Sequence, residues 1–165
     1  MICVVTLEFF ALEQDNDMSW IKVTNRNIIF QTGDILETNS TVIPFSTHYG
    51  IVFYKNGEAY VSHNPFKRKQ GFKPEIITLE DFKKERKIKR FLRNEETKLL
   101  TDDYILSKSN SIIEKYKYKK SFIFNCEDYI REISNTSIGI DQRVAWIIGI
   151  VLVGLLMFSY KKYNR

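Results

Sequence analysis

The tetrapeptide Lys55-Asn56-Gly57-Glu58 constrains this chain more than any other feature. It separates two runs rich in aromatic and β-branched residues, Tyr49–Tyr54 and Ala59–His63. Asn-Gly supplies the two positive φ angles that a type I′ turn needs, so the runs are predicted to be the arms of a tight hairpin. A two-residue loop also sets the register. Lys55 then faces Glu58, Phe53 faces Tyr60 and Gly50 faces His63. Directly paired residues share a face, and His48 lies two residues from Gly50, so it shares that face too. These are the chain's two histidines. The register makes them diagonal neighbours about 7–8 Å apart by backbone spacing, and Gly50 leaves space beside them.

The remaining pattern predicts an α+β fold, a small antiparallel sheet packed with helices. Asp34–Glu37 reads as a short strand after the Thr32-Gly33 turn, and Asp34 itself as a turn-shaping residue. Ile76–Leu79 is a further strand candidate, and Lys87–Arg93, with Ile88 among basic residues, suggests an edge strand. Thr101–Tyr116 has helical spacing, with Thr101 or Asp102 as cap and Tyr104, Ile105, Ile112 and Ile113 on its apolar face. Cys126–Ser134 reads as a second helix capped by Asn125, with Glu127 and Asp128 at its surface. The N-terminal MICVVTLEFFALEQ has no basic leader and no small-residue cleavage site, so it reads as a strand and not a signal peptide. Cys3 falls in that apolar pattern and reads as core.

Composition narrows the function classes. With 165 residues, 44% apolar, and 12 Phe, 9 Tyr and 2 Trp, the chain can build a core and is not a disordered protein. Two cysteines far apart in the sequence make no disulfide framework, and too few soft ligands exist for structural zinc, so neither metal nor cofactor is expected. Sequons occur at Asn39 and Asn135, and both would be silent in a cytosolic domain.

Charge and hydropathy are unevenly placed. Val144–Tyr160 contains no charge, and as a helix its length of about 25 Å approaches a hydrocarbon core of about 30 Å. Arg143, Lys161, Lys162 and Arg165 flank it, and Trp146, Tyr160 and Tyr163 sit where an aromatic belt would. It reads as one C-terminal transmembrane helix, a tail anchor with the preceding domain on the cytosolic side. Residues 67–93 hold eleven Lys or Arg against four Asp or Glu, and 115–120 adds four lysines. Beside an anchor, these stretches suit anionic headgroups of a bilayer. No nucleic-acid motif accompanies them, so no nucleic-acid partner is expected.

Cys126 is the natural chemical partner of the histidines. At a helix start, unpaired N–H groups and the helix dipole favour a thiolate and could hold an oxyanion. A thiol nucleophile needs a base, and the base needs an orienting group. Cys126, His48 and His63 could fill these roles, although each residue by itself also fits a buried structural position. Spacing alone does not bring Cys126 to the hairpin.

At these residues the sequence resembles the lecithin:retinol acyltransferase-like family, closest to its phospholipase A/acyltransferase branch, also called HRAS-like suppressors. The resemblance rests on Gly33-Asp34-Ile35, His48-Tyr49-Gly50-Ile51-Val52, Tyr60-Val61-Ser62-His63 and Asn125-Cys126-Glu127, in that order. It covers about Phe30 to Ile133. The chain departs from the family where Asp128-Tyr129 replaces a usual His-Phe, and residues 1–29 have no counterpart. The resemblance implies a permuted NlpC/papain-like thiol fold. Together with the hydropathy pattern it divides the chain into a 1–29 extension with one added strand, a catalytic domain over 30–135, a linker at 136–143, the span 144–160 and a basic tail at 161–165.

It also implies catalysis. Cys126 would be the nucleophile and carry an acyl thioester, His48 would be the general base and acid, and His63 would orient His48. A glycerophospholipid would lose one acyl chain to water, an amine or a lysophospholipid. Two other readings stay open at this point: a weak or inactive membrane adaptor with the same fold, and an NlpC-type thiol peptidase or amidase.

Overall fold

A computed structural model describes residues 20–24, 28–40, 46–67, 69, 71–117, 124–136, 138 and 151. The proposed N-terminal strand with Cys3, residues 118–120 of the basic stretch, and the apolar segment 144–160 apart from Val151 lie outside these residues. Among the described residues, no helix is long and apolar enough to cross a membrane.

The fold is α+β. In chain order the strands are β1 (Trp20–Lys22), β2 (Ile35–Asn39), β3 (Thr47–Lys55), β4 (Glu58–His63), β5 (Phe66–Lys67), β6 (Gly71–Phe72), β7 (Glu75–Thr78) and β8 (Ile88–Leu92). The helices are α1 (Leu79–Glu85), α2 (Glu95–Lys98), α3 (Asp102–Tyr116) and α4 (Cys126–Ser134). Six strands form one antiparallel sheet in the order β1-β8-β2-β3-β4-β7, and β5 pairs with β6.

The predicted hairpin is present in the predicted register. Lys55 pairs with Glu58, Phe53 with Tyr60 and Gly50 with His63. Asn56 and Gly57 hold φ values of 54° and 79°, the mirror-image turn that matches the twist of the strands. β3 and β4 thereby become adjacent inner strands of the sheet.

Alternation along the strands divides the core into two layers. Ile35, Tyr49, Ile51 and Phe53 point to one side, where α3 supplies Ile105 and Ile112 and α4 supplies Tyr129, Ile130 and Ile133. Leu36, Val52 and Val61 point to the other side, where α1 supplies Leu79 and Phe82. Each fully buried large side chain stabilises the fold by about 1.5–3 kcal/mol, so both layers are needed to hold so small a sheet.

Four sequence expectations are corrected here. β8 is not an edge strand; it lies between β1 and β2. Two basic residues of the Lys87–Arg93 run are neutralised: Arg90 in β8 donates to Glu37 at 2.8 Å, and Arg93, just past β8, donates to Asp34 at 2.6 Å. Asp34 is therefore more than a turn residue. It is 1% exposed, bound to Arg93, and also accepts the Gln31 N–H at 2.7 Å. Leu79 does not end a strand; it begins α1, because the Thr78 hydroxyl caps the helix by accepting the Asp81 N–H. In α3, Thr101 is the cap, and Ile105 and Ile112 are buried, but Tyr104, expected on the apolar face, lies in the first turn and is exposed.

Candidate active site

Strand pairing brings the two histidines into contact. Nε2 of His48 lies 2.9 Å from Nδ1 of His63, a hydrogen bond between imidazoles. Both rings pack on Phe82 of α1, His63 with ring centroids 5.3 Å apart in an edge contact and His48 at 6.3 Å. Gly50 makes this possible. A Cβ there would come within 2.5 Å of the Val61 side chain and within 3.3 Å of His63.

Burial sets the charge of the pair. His48 is held well below the usual imidazole range, first by loss of solvent and then by His63 and Arg86. His63 is pushed down to about 3 by burial, with the charges of Arg86 and Lys67 adding to it. Both rings are therefore neutral near neutral pH.

α4 starts where the sequence places it. Asn125 accepts the Asp128 N–H at 3.0 Å, and Asp128 accepts the Asn125 N–H at 3.2 Å, a reciprocal cap. Asn64 tethers this start to the end of β4. Its amide donates to the carbonyls of Phe124 at 2.9 Å and Asn125 at 3.1 Å. The residue after His63 thus positions the residue before Cys126. The same tether was invisible in the sequence, where Asn64 lies 61 positions from Asn125.

Cys126 is buried against the start of β3. Its Sγ lies 3.9 Å from the Thr47 carbonyl, so the thiol's hydrogen bond goes to the backbone beside His48 and not to an imidazole. The backbone N–H groups of Tyr49, Cys126 and Glu127 act on the sulfur and favour thiolate. Burial outweighs them, and Glu127 opposes them, so the thiol is pushed up to about 12. The expectation that the helix start yields a thiolate is thus reversed in this enclosed state: desolvation exceeds the effect of the helix N–H groups. Glu127, expected at the surface, is 4% exposed.

Two further residues complete the cluster. Arg86, just after α1, acts electrostatically on both histidines; burial lowers its own pKa, and Glu85, Cys126 and Glu75 act against that. The charge of Arg86 therefore acts on the histidine pair and on the thiol alike. Glu75 pairs directly with His63 across β4 and β7, and its Oε1 lies 3.5 Å from His63 Nε2. Lys67 binds the other oxygen of Glu75. Sequence reasoning missed both residues, since Arg86 stood in a general basic stretch and Glu75 depends on the register between β4 and β7. Among the described residues no cluster of metal-binding side chains occurs. No protein-family model, curated protein or solved structure matches the chain.

Proposed function

We propose that this chain is a thiol acyltransferase or phospholipase A that cleaves an acyl ester of a glycerophospholipid through a thioester on Cys126. The observation that carries the reading is the 2.9 Å contact between His48 and His63, with Cys126 Sγ 3.9 Å from the carbonyl of Thr47, the residue before His48. A neutral imidazole can take a proton, and His63 already occupies Nε2 of His48. Nδ1 is then the nitrogen left for the thiol.

As Sγ attacks the ester carbonyl carbon, its proton passes to His48 Nδ1. The tetrahedral oxyanion collapses, the carbon–oxygen bond to the glycerol breaks, and His48 returns the proton to the departing alkoxide. A lysophospholipid leaves and the acyl chain stays on sulfur. Water, an amine or a lysophospholipid then attacks the thioester and restores the thiol. Because the thiol is protonated at the outset, proton transfer accompanies attack, with no preformed ion pair.

A cavity supports the substrate class. It measures about 480 Å³ and combines the cations Lys83, Arg86 and Lys87 with apolar Val23, Ile28 and Phe30. A phosphate joined to an acyl chain matches both parts of that lining. Arg86 lines this cavity, and its charge also acts on both histidines. In the same reading the domain is a permuted NlpC/papain-like fold, and the apolar stretch 144–160 holds it at a bilayer, where substrate is concentrated.

The test is intact-protein mass of the full chain in detergent after mixing with short-chain phosphatidylcholine, beside Cys126→Ser. An acyl-sized adduct that hydroxylamine removes, present on wild type alone, is the expected result. A folded wild type that gains no adduct and releases no lysolipid overturns the reading and leaves a lipid-binding adaptor.

A further inference from the structure

We propose that Glu75 is a positioning residue that sets the tautomer of the histidine pair and thereby makes Nδ1 of His48 the proton-accepting atom. The consequence for catalysis rests on Cys126 being the nucleophile; the tautomer itself does not.

The geometry permits two arrangements of protons. The contact between His48 Nε2 and His63 Nδ1 holds one proton. In the first arrangement His48 donates it, so His48 Nδ1 carries a lone pair and His63 carries its proton on Nε2. In the second His63 donates it, so His48 Nδ1 is protonated and His63 Nε2 carries the lone pair. Only the first leaves His48 able to take a proton from Cys126.

Glu75 discriminates between them. His63 is fully buried, and its Nε2 has no hydrogen-bond partner among the described residues. Oε1 of Glu75 faces that nitrogen at 3.5 Å. In the first arrangement a carboxylate faces an N–H, which is attractive. In the second it faces a lone pair, which is repulsive. Strand pairing of His63 with Glu75 puts both side chains on one face, and Lys67 on Oε2 leaves Oε1 for the ring. The ring is fully buried, so screening comes only from the side of Glu75, whose side chain is 31% exposed. Neutrality of both rings, which burial enforces, keeps the chain of donors intact.

The experiment is long-range ¹H–¹⁵N correlation of the imidazole nitrogens in the ¹⁵N-labelled full chain in detergent near neutral pH. With two histidines the spectrum contains two rings. Both rings are expected as Nε2–H tautomers. In Glu75→Gln, isosteric but uncharged, Nδ1–H signal appears at His63, and acylation of Cys126 slows by about tenfold or more. Alkylation of the thiol at high pH, where hydroxide removes the proton, is unchanged. A wild-type His63 protonated on Nδ1 overturns the proposal, and so does a Glu75→Gln spectrum identical to wild type. An Nε2–H pair in a chain that never forms an acyl-enzyme supports the tautomer and overturns the lipid-ester reading alone.

Discussion

Cys126 shows two effects of opposite sign acting on one atom. The start of α4 directs N–H groups at the sulfur, and the fold removes its water. Removal of water wins, because a charge excluded from solvent costs more than a few partial charges restore. Bare reactivity is therefore a poor guide to a thiol that works through a base. With Cys3→Ser, so that Cys126 is the single thiol, iodoacetamide alkylation should stay slow through neutral pH and rise toward about 12. A midpoint near the ordinary thiol value of about 8.5 would show that water reaches the sulfur. At this scale the candidate residues were legible as types: two histidines and a capped cysteine. Glu75 and Arg86 were not, because their meaning depends on what they face.

The β3–β4 hairpin is the element on which the site depends. Asn56-Gly57 sets its register, and the register sets the histidine contact. Gly50 and Gly57 separate two reasons for glycine in one hairpin. At Gly57 the φ of 79° is the requirement, since an added Cβ meets nothing within 4 Å. At Gly50 space is the requirement, since the Cβ would strike Val61 at 2.5 Å and press on His63 and Phe82. Gly57→Ala should cost about 1–2 kcal/mol from left-handed backbone strain and leave thiol chemistry alone. Gly50→Ala should cost about 1–3 kcal/mol from overpacking and also shift the imidazole resonances. Urea midpoints with imidazole NMR separate the two, and equal spectra for both variants would refute the packing role of Gly50. β8 shows the opposite case. Its basic residues suggested a rim position, yet Arg90 and Arg93 pair with Glu37 of β2 and Asp34 of the loop before β2, and the strand is internal.

The molecule as a whole stores two neutral histidines between its sheet and α1, which links stability to pH. In the unfolded chain each imidazole takes a proton below about 6.5. In the folded chain His63 resists until about 3, and His48 also stays neutral well below 6.5. The unfolded state therefore binds more protons as pH falls through this window, and stability falls with it. The loss approaches about 1.4 kcal/mol per pH unit for each histidine once pH is below its unfolded pKa. Urea denaturation at about pH 7 and about pH 5.5 should show a lower midpoint at the acid end, with the difference reduced in His63→Asn. Equal midpoints for wild type would mean that the rings are hydrated.

The sequence by itself determined what local rules govern. Asn56-Gly57 specified a turn, the turn specified a register, and the register specified that His48 and His63 share a face. Asn125 specified where α4 begins. These features act over a few residues, through φ preferences, alternation and capping bonds, so composition and spacing encode them directly. The tertiary structure alone decided which long-range partners complete the site. It tied Asn64 to the start of α4, set Glu75 opposite His63, brought the charge of Arg86 to bear on the histidines, and buried Cys126 deeply enough to keep its proton. Such placements follow from the packing of whole layers, and desolvation depends on everything that surrounds a group. No short window of sequence contains that information.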